Sequence, residues 1–125
     1  MIFDTDVLIW FLRGNAKAAK AVDAADTRSI SIVTYMELLQ GARDKCESHQ
    51  IKAFLKDFRF RTVPLTENIG HRASIYVEEY TLATSIGLAD ALVAATAVAA
   101  NDILLTGNVK HYKAVQDLQL KRFNP

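Results

Sequence analysis

Three acidic residues, far apart in the chain, stand where a predicted strand has just ended or a helix has just begun. Asp4 follows the apolar run MIF, Glu37 follows SISIV, and Asp90 lies in the first turn of an alanine-rich helix. A polar cluster, Thr106-Gly107-Asn108, follows ILL in the same way. Oxygen ligands of this kind suit Mg²⁺ or Mn²⁺. Such an ion activates water and neutralises phosphate charge in phosphoryl transfer.

Each acid also has a purely structural alternative. Thr34-x-x-Glu37 fits a capping box, in which the glutamate accepts a backbone hydrogen bond at a helix start. Asp4 could be an ordinary N-cap. Asp6 and Asp90 would both be favoured near helix N-termini by the helix dipole alone.

The surroundings of Asp90 favour a chemical role. Its helix, LADALVAATAVAA, is apolar nearly all the way round, as expected of a buried helix. A lone carboxylate there is costly unless it is paired, hydrogen-bonded or bound to a metal. No lysine or arginine lies between Arg72 and Lys110 to pair with it locally. A cation shared with Asp4 and Glu37 would compensate for all three charges.

The elements that position these residues alternate between short apolar runs and helical patterns. The predicted strands cover 2–3, 29–33, 61–65, 103–105 and 120–123. The predicted helices cover 6–13, 16–25, 34–45, 48–58, 67–84 and 88–100, with a helical turn at 111–115. Such alternation predicts an α/β fold with parallel strands and right-handed crossovers. Ligands of these sheets gather beyond the carboxyl ends of the strands, where the four polar positions would meet.

Composition sets the broad class. The 125 residues predict a single domain over 1–125, and half of them are hydrophobic. The net charge of +1 gives no global attraction to nucleic acid, although a local patch would suffice. Cys46 is the only cysteine, which excludes an internal disulfide and a cysteine zinc site. With no signal peptide and no apolar stretch near the ~20 residues of a membrane span, we expect a soluble cytoplasmic protein.

Four segments, in order along the whole chain, resemble a known family. DTDVLI, VTYMELLQG, GLADALVAATA and LLTGNVKHY look like the motifs of PIN-domain nucleases, and more narrowly of the VapC-like toxins of bacterial toxin–antitoxin pairs. The resemblance implies a three-layer α/β/α fold around a central parallel sheet of about five strands. It also implies an endoribonuclease that depends on Mg²⁺ or Mn²⁺.

The resemblance assigns roles to individual residues. Asp4, Glu37 and Asp90 would be the catalytic, metal-binding acids, and water activated by the metal would leave a 5′-phosphate and a 3′-hydroxyl. Thr106 would orient the site without binding the ion directly. Asn108 and Asp6 are further candidates for support of the site, and the amide oxygen of Asn108 could bind the ion or hydrogen-bond to its water. Many PIN domains carry a fourth acid at the place of Asn108. Because an amide brings no charge, one ion is expected before substrate binds.

Two alternatives compete with the nuclease. Asp4-Thr5-Asp6-Val7 fits the D-x-D-x-[TV] motif of haloacid-dehalogenase-like phosphotransferases, with Asp4 as nucleophile and Asp6 as general acid and base. The chain is short for that fold, and Glu37 would have no role. The second alternative is a catalytically silent interaction module that kept the fold, and it is supported by Asn108.

Basic residues near the predicted site are candidate RNA contacts. They are Arg13, Arg43, Lys45, Lys110, His111 and Lys113. Lys52, Lys56 and Arg59 form a second basic stripe on a helix. The structural alternative for each is a solvated face, and phosphate contacts position a nucleic acid without reading its sequence.

Trp10, Phe11 and Leu12 are consecutive, so one helix cannot bury all three against its own core. We predict that part of this run, with the helix around Met36 to Leu39, forms a protein-binding groove. The alternative is a helix that faces the sheet and leaves one aromatic over. By resemblance the occupant would be the cognate antitoxin, and the chain itself would form a homodimer.

Overall fold

The computed structural model describes residues 1–125 as one five-stranded sheet and seven helices. The strands are β1 (Ile2–Phe3), β2 (Ser29–Ser31), β3 (Arg61–Val63), β4 (Leu104–Thr106) and β5 (Leu120–Arg122). The helices are α1 (Thr5–Leu12), α2 (Ala16–Ala24), α3 (Ile32–Gln40), α4 (Lys45–Asp57), α5 (Glu67–Tyr80), α6 (Leu88–Ala99) and α7 (Val109–Tyr112). Every predicted element is present, although two predicted helices were too long: the one over 34–45 ends at Gln40 and the one over 67–84 ends at Tyr80. None of the helices is both long and apolar enough to cross a lipid bilayer.

All five strands are parallel, in the order β3-β2-β1-β4-β5. β1 lies at the centre, paired with β4 through Ile2 opposite Leu104 and Phe3 opposite Leu105. Strands buried on both faces are expected to be continuously apolar, and β1 is. The central pair therefore places the ends of β1 and β4 side by side.

Alternate residues of the central strands feed two separate cores. Ile2 and Leu104 pack with residues of α5 and α6 on one face of the sheet. Phe3 and Leu105 pack with residues of α1, α2 and α4 on the other. This is the period of two that a strand imposes on its side chains. The three-layer α/β/α architecture is confirmed.

The start of α3 differs from the prediction. The strand SISIV ends at Ser31, whose hydroxyl accepts a hydrogen bond from the Val33 N–H at 3.1 Å and caps the helix. Thr34 is instead fully buried inside the helix. The structural alternative for Glu37, a capping box with Thr34, is therefore excluded, and Glu37 lies in the second turn of the helix, free for other contacts.

Three helices end in the same turn. In each, two backbone N–H groups donate back into the last helical turn and one residue takes a left-handed conformation, which is the Schellman arrangement. That residue is Gly14 after α1, Arg59 after α4 and Asn101 after α6. Glycine and asparagine are the usual occupants of this position, so Arg59 is the exception.

Candidate active site

The predicted acids meet at the carboxyl edge of the sheet. Asp4 directly follows β1, and Thr106 is the last residue of the neighbouring β4. Asp90 lies in the first turn of α6, where it also accepts a hydrogen bond from the Gly87 N–H at 3.2 Å. Glu37 projects from α3.

Asp4 is the buried centre of this site, with 6% of its surface exposed. Its Oδ1 accepts the Thr5 N–H at 2.9 Å, which makes it the N-cap of α1. Its Oδ2 accepts the Thr106 hydroxyl at 2.8 Å and the Tyr112 hydroxyl at 3.0 Å. Burial outweighs these hydrogen bonds and raises the pKa of Asp4 from 3.8 to about 6.

Tyr112 joins two of the acids. Its hydroxyl is within hydrogen-bonding distance of Asp4 Oδ2 (3.0 Å) and of Asp90 Oδ1 (3.2 Å), and the residue is fully buried. A phenol carries a single proton, so it can satisfy only one ionised carboxylate at a time. Burial and the adjacent charges of Asp4 and Asp90 raise the pKa of Tyr112, which stays protonated.

Glu37 is linked to the site through a hydroxyl. The Thr5 Oγ1 donates to Glu37 Oε1 at 2.7 Å and lies 3.3 Å from the Thr34 hydroxyl.

The sequence predicted one ion shared by three acids. In the structure no three acidic, histidine or cysteine side chains lie close enough to hold an ion between them.

The donor set still suits a magnesium-like ion. All of the donors are oxygens, and two carboxylates, Asp4 and Asp90, lie on either side of one hydroxyl. Mg²⁺ is commonly held by one or two carboxylates and keeps several waters, so Glu37 need not bind it directly.

Asp6 supports the loop that follows β4. Its Oδ2 accepts the Gly107 N–H at 2.9 Å, and its Oδ1 accepts the Val7 N–H at 2.9 Å. Burial raises the pKa of Asp6, and these backbone hydrogen bonds partly offset the increase. A Cβ at Gly107 would lie 2.6 Å from Asp6 Oδ2, so a larger residue there would force the Asp6 carboxylate to move. The helix dipole is therefore not the only interaction that favours an aspartate at position 6, because Asp6 also holds the loop at Gly107.

These contacts also weigh against the phosphotransferase alternative. A general acid and base needs an oxygen that can reach substrate. Both Asp6 oxygens instead accept backbone N–H groups.

Asn108 and His111 lie beside the acids. The Asn108 side chain is exposed and makes no capping hydrogen bond, while its N–H donates to Thr106 Oγ1 at 3.0 Å. His111 is half-buried, with Nδ1 3.5 Å from Asp90 Oδ2. The predicted role of His111 as a phosphate contact now competes with pairing to Asp90.

The other predicted RNA contacts surround the edge more loosely. The Arg13 guanidinium lies 5.9 Å from the centre of the Trp10 ring, a cation–π distance. Arg43 is 87% exposed and pairs with Glu47 at 3.0 Å. Lys110 is exposed on α7. No direct contact fixes these three side chains to the acids.

An open groove of about 610 Å³ begins at Glu37 and runs between α1, α3 and α4. Its lining includes Ile9, Leu12, Arg13, Leu38 and Arg43. The structure divides the predicted groove residues. Trp10 and Leu12 are exposed, as is Met36, whereas Phe11 stacks on Phe54 and Leu39 packs against the same core.

Sequence reasoning missed Tyr112 and Thr5, which connect the three acids. Tyr112 lies in a four-residue helix, and the one signal in the sequence is that a tyrosine, if it is buried, needs a hydrogen-bond partner. Thr5 lies between the two aspartates of the DTD motif, which were the residues of that motif considered for chemistry.

Comparison with known proteins gives a consistent family. The PIN domain model matches residues 1–116. Ribonuclease VapC10 of Mycobacterium tuberculosis is 35% identical over 123 residues, which cover 95% of this chain and 90% of the relative. Ribonuclease VapC1 of Rickettsia felis is 33% identical, with 96% and 93% covered.

Solved structures agree with these relatives. VapBC-1 from nontypeable Haemophilus influenzae matches with a TM-score of 0.83 and 25% identity, covering 98% of both chains. A toxin–antitoxin complex from Klebsiella pneumoniae matches with a TM-score of 0.79 and 27% identity, covering 94% of this chain and 93% of the other. With a family model that spans nearly the whole chain and VapC relatives above 30% identity, the chain belongs to the PIN-domain family, among its VapC-like members.

Proposed function

We propose that the protein is a metal-dependent endoribonuclease and the toxin of a cytoplasmic toxin–antitoxin pair. The names of its relatives, ribonucleases VapC10 and VapC1, support the activity. The oxygen-only donors at the sheet edge support Mg²⁺ or Mn²⁺ as the ion.

The observation that carries the proposal is the position of Tyr112 between Asp4 and Asp90. Its one proton lies between two carboxylate oxygens, at 3.0 Å and 3.2 Å, in a buried setting. Two ionised carboxylates around one phenol leave uncompensated negative charge, which a divalent cation would neutralise. Without that cation, the surplus negative charge of the two carboxylates would repel an anionic substrate such as RNA.

In this mechanism Asp4 and Asp90 would hold the ion, and Glu37 would act beside it without binding it directly. The cation supplies Lewis-acid polarisation and charge neutralisation to phosphodiester hydrolysis. Thr5 orients Glu37, whose exposed carboxylate can accept the proton of the attacking water. Thr106 and Tyr112 fix Asp4 in one rotamer, and Asp6 holds Gly107 so that Thr106 stays in place. The products are a 5′-phosphate and a 3′-hydroxyl.

We further propose that the groove beside Glu37 binds a segment of the antitoxin. The solved neighbours are described as VapBC and toxin–antitoxin complexes, which supports such a partner. The groove has apolar walls at Ile9 and Leu12 and charged residues at its mouth. Glu37, a proposed catalytic acid, lines the groove, so an occupant would block substrate there. A homodimer of the toxin is part of the same proposal.

Cleavage of a mixed RNA pool with Mn²⁺, together with calorimetric Mn²⁺ binding, tests the enzyme. We expect Asp4→Ala and Asp90→Ala to lose at least about a hundredfold in rate, as expected when a group that stabilises the transition state is removed. Asp23→Ala, an exposed acid on α2, should behave as wild type. Unchanged cleavage in Asp90→Ala would exclude the mechanism. Absence of both cleavage and Mn²⁺ binding in the wild type would favour a catalytically silent interaction module.

A further inference from the structure

A second cleft, of about 1010 Å³, shares no lining residue with the acidic site. It is formed by the start of β2 and β3, the first turns of α5 and the end of α6. Four of the chain's seven arginines line it, and no lysine does: Arg28, Arg59, Arg61 and Arg72. In a protein of net charge +1 this is a local concentration of one kind of cation.

Backbone contacts hold three of these arginines together. The Arg28 side chain donates to Val22 O at 2.7 Å and to Phe58 O at 2.9 Å, which leaves three of its five N–H donors unused. The Arg28 carbonyl accepts the Arg61 N–H at 2.8 Å. The turn that carries Arg59 and Arg61 is thus fastened to Arg28.

Few acids neutralise the cleft. Of its two carboxylates, Asp102 is already paired with the N-terminal amine at 2.7 Å, which leaves Asp26. Arg72 has only a 3.5 Å contact with the half-exposed Asp117. Arg59 and Arg61 are exposed and form no ion pair within the chain.

Arg59 is also an unusual choice for its position. It occupies the left-handed site of the turn after α4, with φ of 58°. The matching turns use Gly14 and Asn101, the residue types that adopt this conformation with least strain. An arginine there is costly to the fold, which points to a use for its side chain outside the turn.

We propose that this arginine cleft binds the phosphodiester backbone of the RNA substrate, away from the bond that is cut. Guanidinium groups recognise phosphate oxygens in a bidentate way, and the open cleft with no aromatic lining suits a strand more than a stacked base. The end of α6 that lines the cleft lies eight to ten residues after Asp90, roughly 12–15 Å along the helix axis. A folded RNA can therefore reach both places. This inference rests on the proposed ribonuclease function.

The test uses full-length protein carrying Asp90→Ala, so that RNA is bound and not cut, and measures fluorescence anisotropy with a labelled RNA hairpin at several salt concentrations. Arg59→Gln with Arg61→Gln is expected to weaken binding at least about tenfold and to lower the salt slope by roughly 1.4 to 1.8, since each phosphate contact contributes about 0.7 on a single strand and about 0.9 on a B-form duplex. The control, Lys17→Gln with Lys20→Gln on α2, removes the same charge from another exposed surface. It should change the slope by less than half as much.

Arg59→Gly separates binding from folding. We expect its melting temperature to equal or exceed that of the parent, because glycine suits the turn, while RNA binding weakens.

A labelled poly-glutamate tests an acidic protein segment as the alternative occupant. Unchanged RNA affinity in the arginine variants, or arginine-dependent binding of poly-glutamate alone, would overturn the proposal. If the arginine variants, made in a protein that keeps Asp90, bind and cut RNA as well as their parent, only the proposal for the cleft is overturned. A parent that neither binds nor cuts RNA would overturn both proposals.

Discussion

The hydroxyl of Tyr112 lies 3.0 Å from Oδ2 of Asp4, although 108 positions separate the two residues. The contact exists because α7 packs its one buried aromatic against the edge where β1 ends. The same hydroxyl reaches Asp90 at 3.2 Å. Tyr112 lies outside the acidic motifs, and it thereby sets the distance between two proposed metal ligands.

Tyr112→Phe removes this link while keeping the ring. We expect cleavage to fall roughly tenfold, since one hydrogen bond to a charged group contributes about 1.5–3 kcal/mol. The hydrogen bond from Tyr112 lowers the pKa of Asp4, so its loss should move the acidic limb of the pH–rate profile to higher pH. Tyr76→Phe is the matched control, because Tyr76 is buried on α5 and its hydroxyl has no hydrogen-bond partner. Equal effects of the two substitutions would argue against a specific role for Tyr112.

The buried carboxyl of Asp4 makes stability depend on pH in an unusual direction. Its pKa rises from 3.8 to about 6, so between these values the folded protein holds more protons than the unfolded chain. The contribution of Asp4 to the free energy of unfolding is therefore present below pH 3.8 and is lost as pH rises through 6. The loss is up to roughly 3 kcal/mol.

Asp4→Asn should consequently be more stable than wild type at pH 7.5 without divalent metal, and the difference should shrink at pH 5. Thermal melts of both proteins across this range measure it. Added Mn²⁺ should raise the melting temperature of wild type at pH 7.5 far more than that of Asp4→Asn. A metal-free Asp4→Asn protein that melts below wild type at pH 7.5 would contradict the desolvation argument.

The order of elements and the meeting of the acids could be predicted from sequence. Alternating strands and helices require a parallel sheet, and residues that follow its strands share one edge. This rule alone places Asp4 and Thr106 side by side, and a hydrogen bond of 2.8 Å joins their side chains. The apolar helix around Asp90 gave a third member, because a carboxylate in such a helix needs a partner.

The remaining features depend on tertiary contacts that local patterns do not encode. In SISIVT the β-branched residues favour a strand throughout, yet packing turns the chain helical at Ile32 and leaves Ser31, not Thr34, as the cap. Phe11 and Trp10 are equally aromatic. Phe11 turns inward because it packs on Phe54 of α4 and on Phe58, the residue at the C-cap of that helix.

Gly107→Ala tests the contact between the loop after β4 and Asp6. A Cβ there would lie 2.6 Å from Asp6 Oδ2, so we expect a loss of about 1–3 kcal/mol in stability and weaker cleavage. Gly70→Ala, in α5, has open space and should be neutral or slightly stabilising. In an Asp6→Ala background the same Gly107 substitution should cost little. Additive effects of the two changes would show that Asp6 and Gly107 are not coupled.

Trp10→Ala tests whether the antitoxin interface extends beyond the groove beside Glu37, because Trp10 does not line the groove but lies next to Arg13, which does. Trp10 is 37% exposed on α1, so its loss should hardly affect folding. We expect binding of the protein encoded immediately upstream to weaken at least about thirtyfold, as for an aromatic anchor in an interface. RNA cleavage by the free toxin should stay the same. Leu82→Ala, at a fully exposed position, is the control, and an equal loss of binding there would remove Trp10 from the interface.

Asn108→Asp tests the departure from the four-acid pattern. Asn108 is exposed at the start of α7, and its N–H donates to the hydroxyl of Thr106, which in turn donates to Asp4. A carboxylate at this place adds a charged oxygen ligand close to the proposed ion, so we expect tighter Mn²⁺ binding in calorimetry and retained cleavage. Asn101→Asp, beyond the far end of α6, adds the same charge away from the site and should leave Mn²⁺ affinity unchanged. Weaker Mn²⁺ binding in Asn108→Asp would mean that this side chain does not face the ion.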